Sequence, residues 1–276
     1  MTRIAICAPA TPITREHAAA LQKLVAEEFP SHSVHFHEQC FEEWHHFAGP
    51  DAVRLDAFLE CANDASFDAV WFAKGGYGSN RIAQAAIPFL KPAAKDKTYA
   101  GFSDCGYILA QLYRAGIGQP VHAPMPVSAR SERGREAVRR VLRWFDGDNS
   151  GLEPSLDGKT PVAAFNLITL TMIAGTPLMP DLKGHVVMVE EVSEHLYSVD
   201  RLMFNLTNFL PGIAGLRLGQ VSAVPENDRD FGYSPEEITK FWCSRNGIPY
   251  LGRAQIGHYS GNCVVPFGLA SPANRT

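Results

Sequence analysis

The chain has 276 residues, 46% hydrophobic and 20% charged, enough apolar material for a large core in one or two domains. A formal charge of −4 provides no global positive field for a phosphate backbone, which argues against nucleic acid as a partner. No apolar stretch reaches the ~18 residues of a membrane span and the N-terminal apolar run is too short for a signal-peptide core, so the expectation is a cytoplasmic protein without a membrane partner.

In chain order, Arg3–Ala8 reads as a buried strand stopped by Pro9, and the segment from Arg15 to Phe29 puts Leu21, Leu24, Val25 and Phe29 on one helical face. Ser33–His37 alternates like a strand, and residues 51–65 are helical. Asp68–Ala73 is a third apolar run, broken at Lys74-Gly75-Gly76. Ser79–Leu90 is helical, Thr98–Phe102 is a strand, and the segment after Gly106 is helical again. Strands separated by helices of this length imply right-handed crossovers, hence an N-terminal doubly wound, flavodoxin-like parallel sheet. A helix over residues 131–147 carries Val138, Val141, Leu142 and Phe145, and the Gly/Asp/Ser/Pro-rich stretch 146–161 reads as a linker. The expected division is therefore 1–150, an N-terminal α/β domain, and 151–276, a smaller C-terminal α/β domain. In the latter, residues 163–175 read as a buried helix, His185–Val192 as a strand and 198–209 as a helix, with an apolar run at 263–269 closing the chain.

In open α/β sheets ligands collect outside the carboxyl ends of strands. Two loops there draw interest. Gly101-Phe102-Ser103-Asp104 places a serine where a strand turns into a helix; it serves either as an ordinary helix cap or as an exposed nucleophile beside the Asp104 amide. Lys74-Gly75-Gly76-Tyr77-Gly78-Ser79-Asn80-Arg81 has three glycines in four positions and lacks both nucleotide-loop spacings. It is either a plain turn or a backbone that donates an N–H to an oxyanion.

A serine nucleophile needs a histidine to take its proton and an acid to orient that histidine. His35 and His37 share a strand face and would suit a metal pair, but no supporting carboxylate or cysteine motif lies beside them; His122 sits in no recognisable pattern. His258, in the glycine-flanked Gly257–Asn262 loop, is placed for exposure. Glu190-Glu191 end a strand with side chains on opposite faces, one toward a cleft and the other toward solvent. The six cysteines show no C-x-x-C pair, predicting reduced thiols rather than a disulfide framework or a zinc site.

Together these segments resemble the LD-carboxypeptidase family of serine peptidases, which includes muramoyltetrapeptide carboxypeptidases and microcin C self-immunity peptidases. The landmarks occur in order: Ala8-Pro9, the K-G-G-Y-G-S-N-R loop, G-F-S-D, His122–Met125, F-N-L at Asn166, Gly175–Leu182, V-E-E-V followed by Y-S-V-D-R-L, and G-H-Y-S-G-N followed by V-P-F-G. The resemblance implies a Ser-Glu-His triad of Ser103, Glu190 and His258, and an oxyanion hole from the amides of Asp104 and Gly76. Substrate contacts are expected from Gly75, Tyr77 and Arg81, with Arg81 or Lys74 neutralising the substrate carboxylate. It also implies a small peptide substrate, a murein tetrapeptide losing its terminal D-alanine in cell-wall recycling, no metal or organic cofactor, and a homodimer. Two alternatives remain: a self-immunity peptidase acting on peptidyl- or aminoacyl-adenylate toxins, and a non-enzymatic nucleotide- or flavin-binding domain. Two positions depart from the family pattern, Phe165 before Asn166 and Cys105 after Asp104.

Overall fold

In the computed structural model, which describes residues 1–269, the N-terminal alternation runs β1 (Thr2–Cys7), α1 (Arg15–Glu28), β2 (His32–Phe36), α2 (Asp51–Asn63), β3 (Ala69–Phe72), α3 (Asn80–Ala86), β4 (Thr98–Gly101), α4 (Gly106–Ala115), β5 (Gln119–His122) and α5 (Glu132–Phe145). Then follow β6 (Val162–Asn166), α6 (Leu167–Ile173), β7 (Val186–Val192), α7 (Leu196–Asn208), β8 (Gly215–Ser222), α8 (Pro235–Arg245), β9 (Tyr250–Arg253) and β10 (Val265–Pro266). The end of the expected second domain, residues 270–276, lies outside the described residues.

The first sheet has the order β2-β1-β3-β4-β5-β10. Its first five strands are parallel in the flavodoxin-like order, and β10 returns antiparallel to β5. Both faces are covered, which is why the strands read as apolar runs: on β1, Ala5 and Cys7 enter one apolar cluster while Ile4 and Ile6 enter another. The second sheet, β6-β7-β8-β9, is parallel throughout with a helix between each pair of strands. One cluster spans both sheets, joining Phe72 and Leu109 to Phe165, Val189 and Leu218. Each such side chain contributes about 1.5–3 kcal/mol on burial, so the two sheets share a core rather than touching at a surface.

One expectation needs correction. The segment 163–175 is not one helix: Val162–Asn166 is a strand, buried at every position, and only Leu167–Ile173 is helical. An apolar run buried on both faces has no alternation to reveal it. The break falls at Asn166, whose Oδ1 accepts from the Thr169 N–H at 3.3 Å as a helix cap. Nor does the sequence pattern name an element at Gln119–His122, which forms β5 although it contains Pro120; its register places Gly101 beside His122 on the neighbouring strand.

Candidate active site

The order of the first sheet reverses between β1 and β3, and the crevice beyond the strand ends is lined by residues 74–77 of the loop after β3 and by Ser103 after β4. Ser103 opens a single 3₁₀ turn, Ser103–Cys105, that leads into α4. Its φ of 58° lies in the left-handed region, a conformation that costs a non-glycine residue about 1–3 kcal/mol and persists only where the surroundings enforce it. The caps of these segments are Phe102 and Cys105, so Ser103 is not a helix cap. Its Oγ has no hydrogen-bond partner among the described residues.

What enforces the turn is the glycine loop. A Cβ on Gly75 would stand 3.0 Å from Ser103 Oγ and 3.5 Å from the Asp104 nitrogen, so only glycine lets this backbone lie against the hydroxyl. Gly76 has φ +105°, with the Thr11 side chain 2.5 Å from where its Cβ would be, and Thr11 Oγ1 donates to the Gly75 carbonyl at 2.6 Å. Asp104 stitches the two loops together: its carboxylate accepts from the Ser79 N–H at 2.8 Å and its carbonyl from Ser79 Oγ at 2.6 Å. Burial raises the Asp104 carboxyl pKa, against the lowering effect of those bonds. Beneath them Arg54, 1% exposed, donates to the carbonyls of Gly78 (2.8 Å), Gly49 (3.2 Å) and Pro9 and pairs with Asp51.

The other half of the site comes from the second sheet. Glu190 on β7 is fully buried, and its Oε2 lies 2.8 Å from His258 Nδ1. That bond puts the imidazole proton on Nδ1 and leaves Nε2 as the lone-pair nitrogen. The ring of Phe102 lies between two imidazoles, with its centroid 4.7 Å from that of His258 and 5.3 Å from that of His122. The loop carrying His258 is held by Asn262, whose Oδ1 accepts from the Gly257 N–H at 3.1 Å and from His122 Nε2 at 3.0 Å. Burial lowers the pKa of His122.

Glu191 departs from expectation. The pairing of β7 with β8 shifts register between Val189 and Glu191, and neither carboxylate faces solvent: Glu191 is 1% exposed. It accepts from Asn166 Nδ2, the Ile168 N–H and the Val192 N–H, each at 2.9 Å. Its pKa is pushed up to about 7 by burial, those bonds opposing the rise.

Two cavities, of about 640 and 710 Å³, meet at Ser103, Gly76 and Val192. Tyr77, Asp104, Asn166 and Glu191 line the first; Gly75, Lys74 and His258 line the second. Ser103 and His258 thus face one space, with Glu190 behind the imidazole. Arg81 lines neither cavity: its Nε donates to both carboxylate oxygens of Asp51, at 2.8 and 2.9 Å. The two departures from the family pattern are core residues. Phe165 packs edge-on to Phe267, and Cys105 is fully buried, which drives its thiol pKa upward. His35 bonds Ser33 and His37 bonds Glu60, and among the described residues no group of three His, Cys, Asp or Glu side chains is placed to hold a metal ion. The sequence patterns give no role to Arg54, His122 or Asn262, although the last two fall within quoted segments. The available signal was an arginine on the apolar face of α2, next to Ala57 and Phe58.

No helix among the described residues is long and apolar enough to cross a membrane. Residues 4–123 match the model of the LD-carboxypeptidase N-terminal domain and residues 160–271 that of the C-terminal domain. A putative carboxypeptidase of Streptomyces coelicolor is 27% identical over 97% of this chain and 88% of its own. The murein tetrapeptide carboxypeptidase of Pseudomonas aeruginosa is 24% identical over 96% and 91%. The crystal structure of muramoyltetrapeptide carboxypeptidase from Oxalobacter formigenes superposes with a TM-score of 0.81 at 25% identity, covering 97% of this chain and 93% of that one. The microcin C7 self-immunity protein MccF shares the fold, with a TM-score of 0.80 at 18% identity over 97% and 91%. With both of its domain models matched in order along the chain, the protein belongs to the LD-carboxypeptidase family, whose members are serine carboxypeptidases.

Proposed function

We propose that the protein releases the C-terminal D-alanine of a murein tetrapeptide, acting in the cytoplasm during cell-wall recycling, with Ser103, His258 and Glu190 as its triad. One observation carries this reading: a serine held in the left-handed region faces the same cavity as an imidazole whose Nδ1 is held by a fully buried carboxylate.

In this reading His258 Nε2 takes the Ser103 proton as Oγ attacks the scissile carbonyl. The Asp104 and Gly76 amides hold the oxyanion. His258 returns the proton to the departing amine as the C–N bond breaks. Water then attacks the acyl-serine, giving its proton to His258, and the ester C–O bond breaks to free the shortened peptide and restore the hydroxyl. No internal hydrogen bond among the described residues holds Ser103 Oγ, which leaves it free to bond His258 Nε2 as substrate binds. Neither metal nor organic cofactor enters this scheme, and a homodimer is the proposed assembly.

Liquid chromatography of murein tetrapeptide incubated with the purified protein tests the reading. Wild type is expected to release D-alanine and Ser103→Ala to lose at least ~10⁴-fold in kcat; equal turnover by both would refute it. Action on an aminoacyl-nucleotide toxin calls for an aromatic platform for the base. No tryptophan lines either cavity, but Tyr77 and Tyr107 line the first and Phe102 and Tyr259 the second, so aromatic faces are present for either substrate. Parallel assays with an aminoacyl sulfamoyl nucleoside compare the two. A nucleotide or chromophore copurifying with an inactive protein would favour the binding-domain alternative.

A further inference from the structure

The loop that carries His258 belongs to the second half of the chain, yet its main chain is held from α5 and from the stretch 146–161 that reads as a linker. At its start the Gln255 N–H donates to Glu153 Oε1 at 3.1 Å. At its end the Val264 N–H donates to the Gly151 carbonyl at 2.9 Å, and the Val264 carbonyl accepts from the Glu153 N–H at 3.0 Å. Between them Arg140 Nη1 donates to the Ser260 carbonyl at 2.5 Å and, more weakly, to the Asn262 carbonyl at 3.4 Å. Glu153 is 3% exposed, and its other oxygen accepts from the Ser155 N–H at 2.8 Å, so both carboxylate oxygens are spent on local main chain. Gly151 lies so close to α5 that a Cβ there would stand 2.8 Å from Arg140 Cβ. The expected linker is thus packed structure that ties α5 to the His258 loop.

Arg140 is itself fixed by α5, whose Val138 and Val141 are buried with Ile4, Ile6 and Trp71 on one face of the first sheet. Among the described residues it forms no ion pair, unlike Arg139 beside it, which pairs with Glu28. A guanidinium bonded to two carbonyls and to no carboxylate acts as a clamp on main chain. A proton carrier works only within hydrogen-bond reach of the hydroxyl it serves, and a displacement of ~1 Å costs about 10²-fold. Glu190 orients the imidazole from β7 but does not hold the backbone from which the ring projects. We infer that Arg140 and Glu153 are positioning residues: they hold the 255–264 main chain so that His258 meets Ser103, and through them the seating of α5 sets the reach of the general base. The inference rests on the proposed triad and adds to it two residues that line neither cavity.

Arg140→Gln, Arg140→Lys and Glu153→Gln test this, each with three measurements: hydrogen exchange of the 254–264 amides, kcat and KM for D-alanine release from murein tetrapeptide, and the rate at which a fluorophosphonate labels Ser103. In Arg140→Gln the loop amides should exchange at least about tenfold faster than in wild type, while amides of the two sheets keep their protection. Both kcat and labelling should fall roughly ten- to a hundredfold, with KM within about twofold. Arg140→Lys, which keeps the charge and a donor directed at the Ser260 carbonyl, should recover most of that loss. Glu153→Gln, whose amide can accept only one of the two main-chain bonds that the carboxylate accepts, should lose about tenfold in kcat. Unchanged exchange in the loop overturns the clamp. Faster exchange with unchanged kcat, or a change in KM alone, overturns the positioning role. Wild-type protein that neither releases D-alanine nor is labelled at Ser103 refutes the hydrolase reading instead, and the exchange rates still decide whether Arg140 and Glu153 hold the loop.

Discussion

At the ends of β3 and β4 the reacting groups are set by backbone, whereas at the end of β7 and in the 257–262 loop they are set by side chains. On the first side, a left-handed serine and two glycines are clamped by Asp104, Ser79 and Arg54, all buried and bonded to main-chain groups. On the second side a carboxylate holds an imidazole, and one asparagine bridges a neighbouring histidine to the loop that carries it. The difference follows from what each half supplies. Amide donors need a fixed backbone, while a proton carrier needs a tuned ring with one nitrogen left free.

That contrast can be broken at either end. The largest effect is expected from Glu190→Gln, which preserves shape and removes the charge opposite Nδ1; kcat should fall by about 10⁴-fold in steady-state assays while substrate binding persists. A loss below tenfold would mean that the carboxylate does not orient His258.

Next comes Glu191, which lies beside Glu190 in sequence and yet faces the cap of α6. Its folded pKa of about 7 stands above the ordinary value of 4.5, so the folded state holds the proton more tightly than the unfolded chain. The sign follows: this contribution to stability is full below about pH 4.5 and is lost as pH rises through 7, amounting to about 3 kcal/mol. Urea unfolding at pH 5 and pH 8 should show that fall in wild type, and Glu191→Gln should lack the slope even though an amide cannot accept all three bonds. An identical slope in both proteins would show that another group titrates.

A smaller effect is expected at Asn262. Removing its Oδ1 in Asn262→Ala frees the Gly257 amide and His122 Nε2 and loosens the His258 loop, for a kcat loss of about ten- to a hundredfold with little change in KM. A change in KM alone would make the loop a binding element rather than a support for the imidazole. The smallest effect belongs to Arg81→Ala. Its partly exposed pair with Asp51 lies outside both cavities, so stability should change by under ~1 kcal/mol and D-alanine release should remain within twofold.

Much of this architecture is legible from residues alone. The strand-helix alternation of the first half, the glycine loop after β3 and the serine after β4 are local patterns, set by period, by turn chemistry and by the steric freedom of glycine. Those three do not need partners to be seen. The pair Glu190-Glu191 at a strand end and His258 in a polar loop stand out in the same way, and only the family resemblance chose Glu190 over Glu191.

Tertiary structure decided the rest. Residues 163–166 became a strand because both of their faces are buried between sheet neighbours, an environment that leaves no period to read. Glu191 turned inward at a register shift, and Arg81 swung to Asp51 instead of the cleft, because pairing partners distant in the chain outweighed local preference. The clamp on the His258 loop joins Arg140 to Ser260 and Glu153 to Gln255. No sequence period links such positions: local pattern specifies what each segment becomes, and only packing the two sheets onto one core specifies which segments meet.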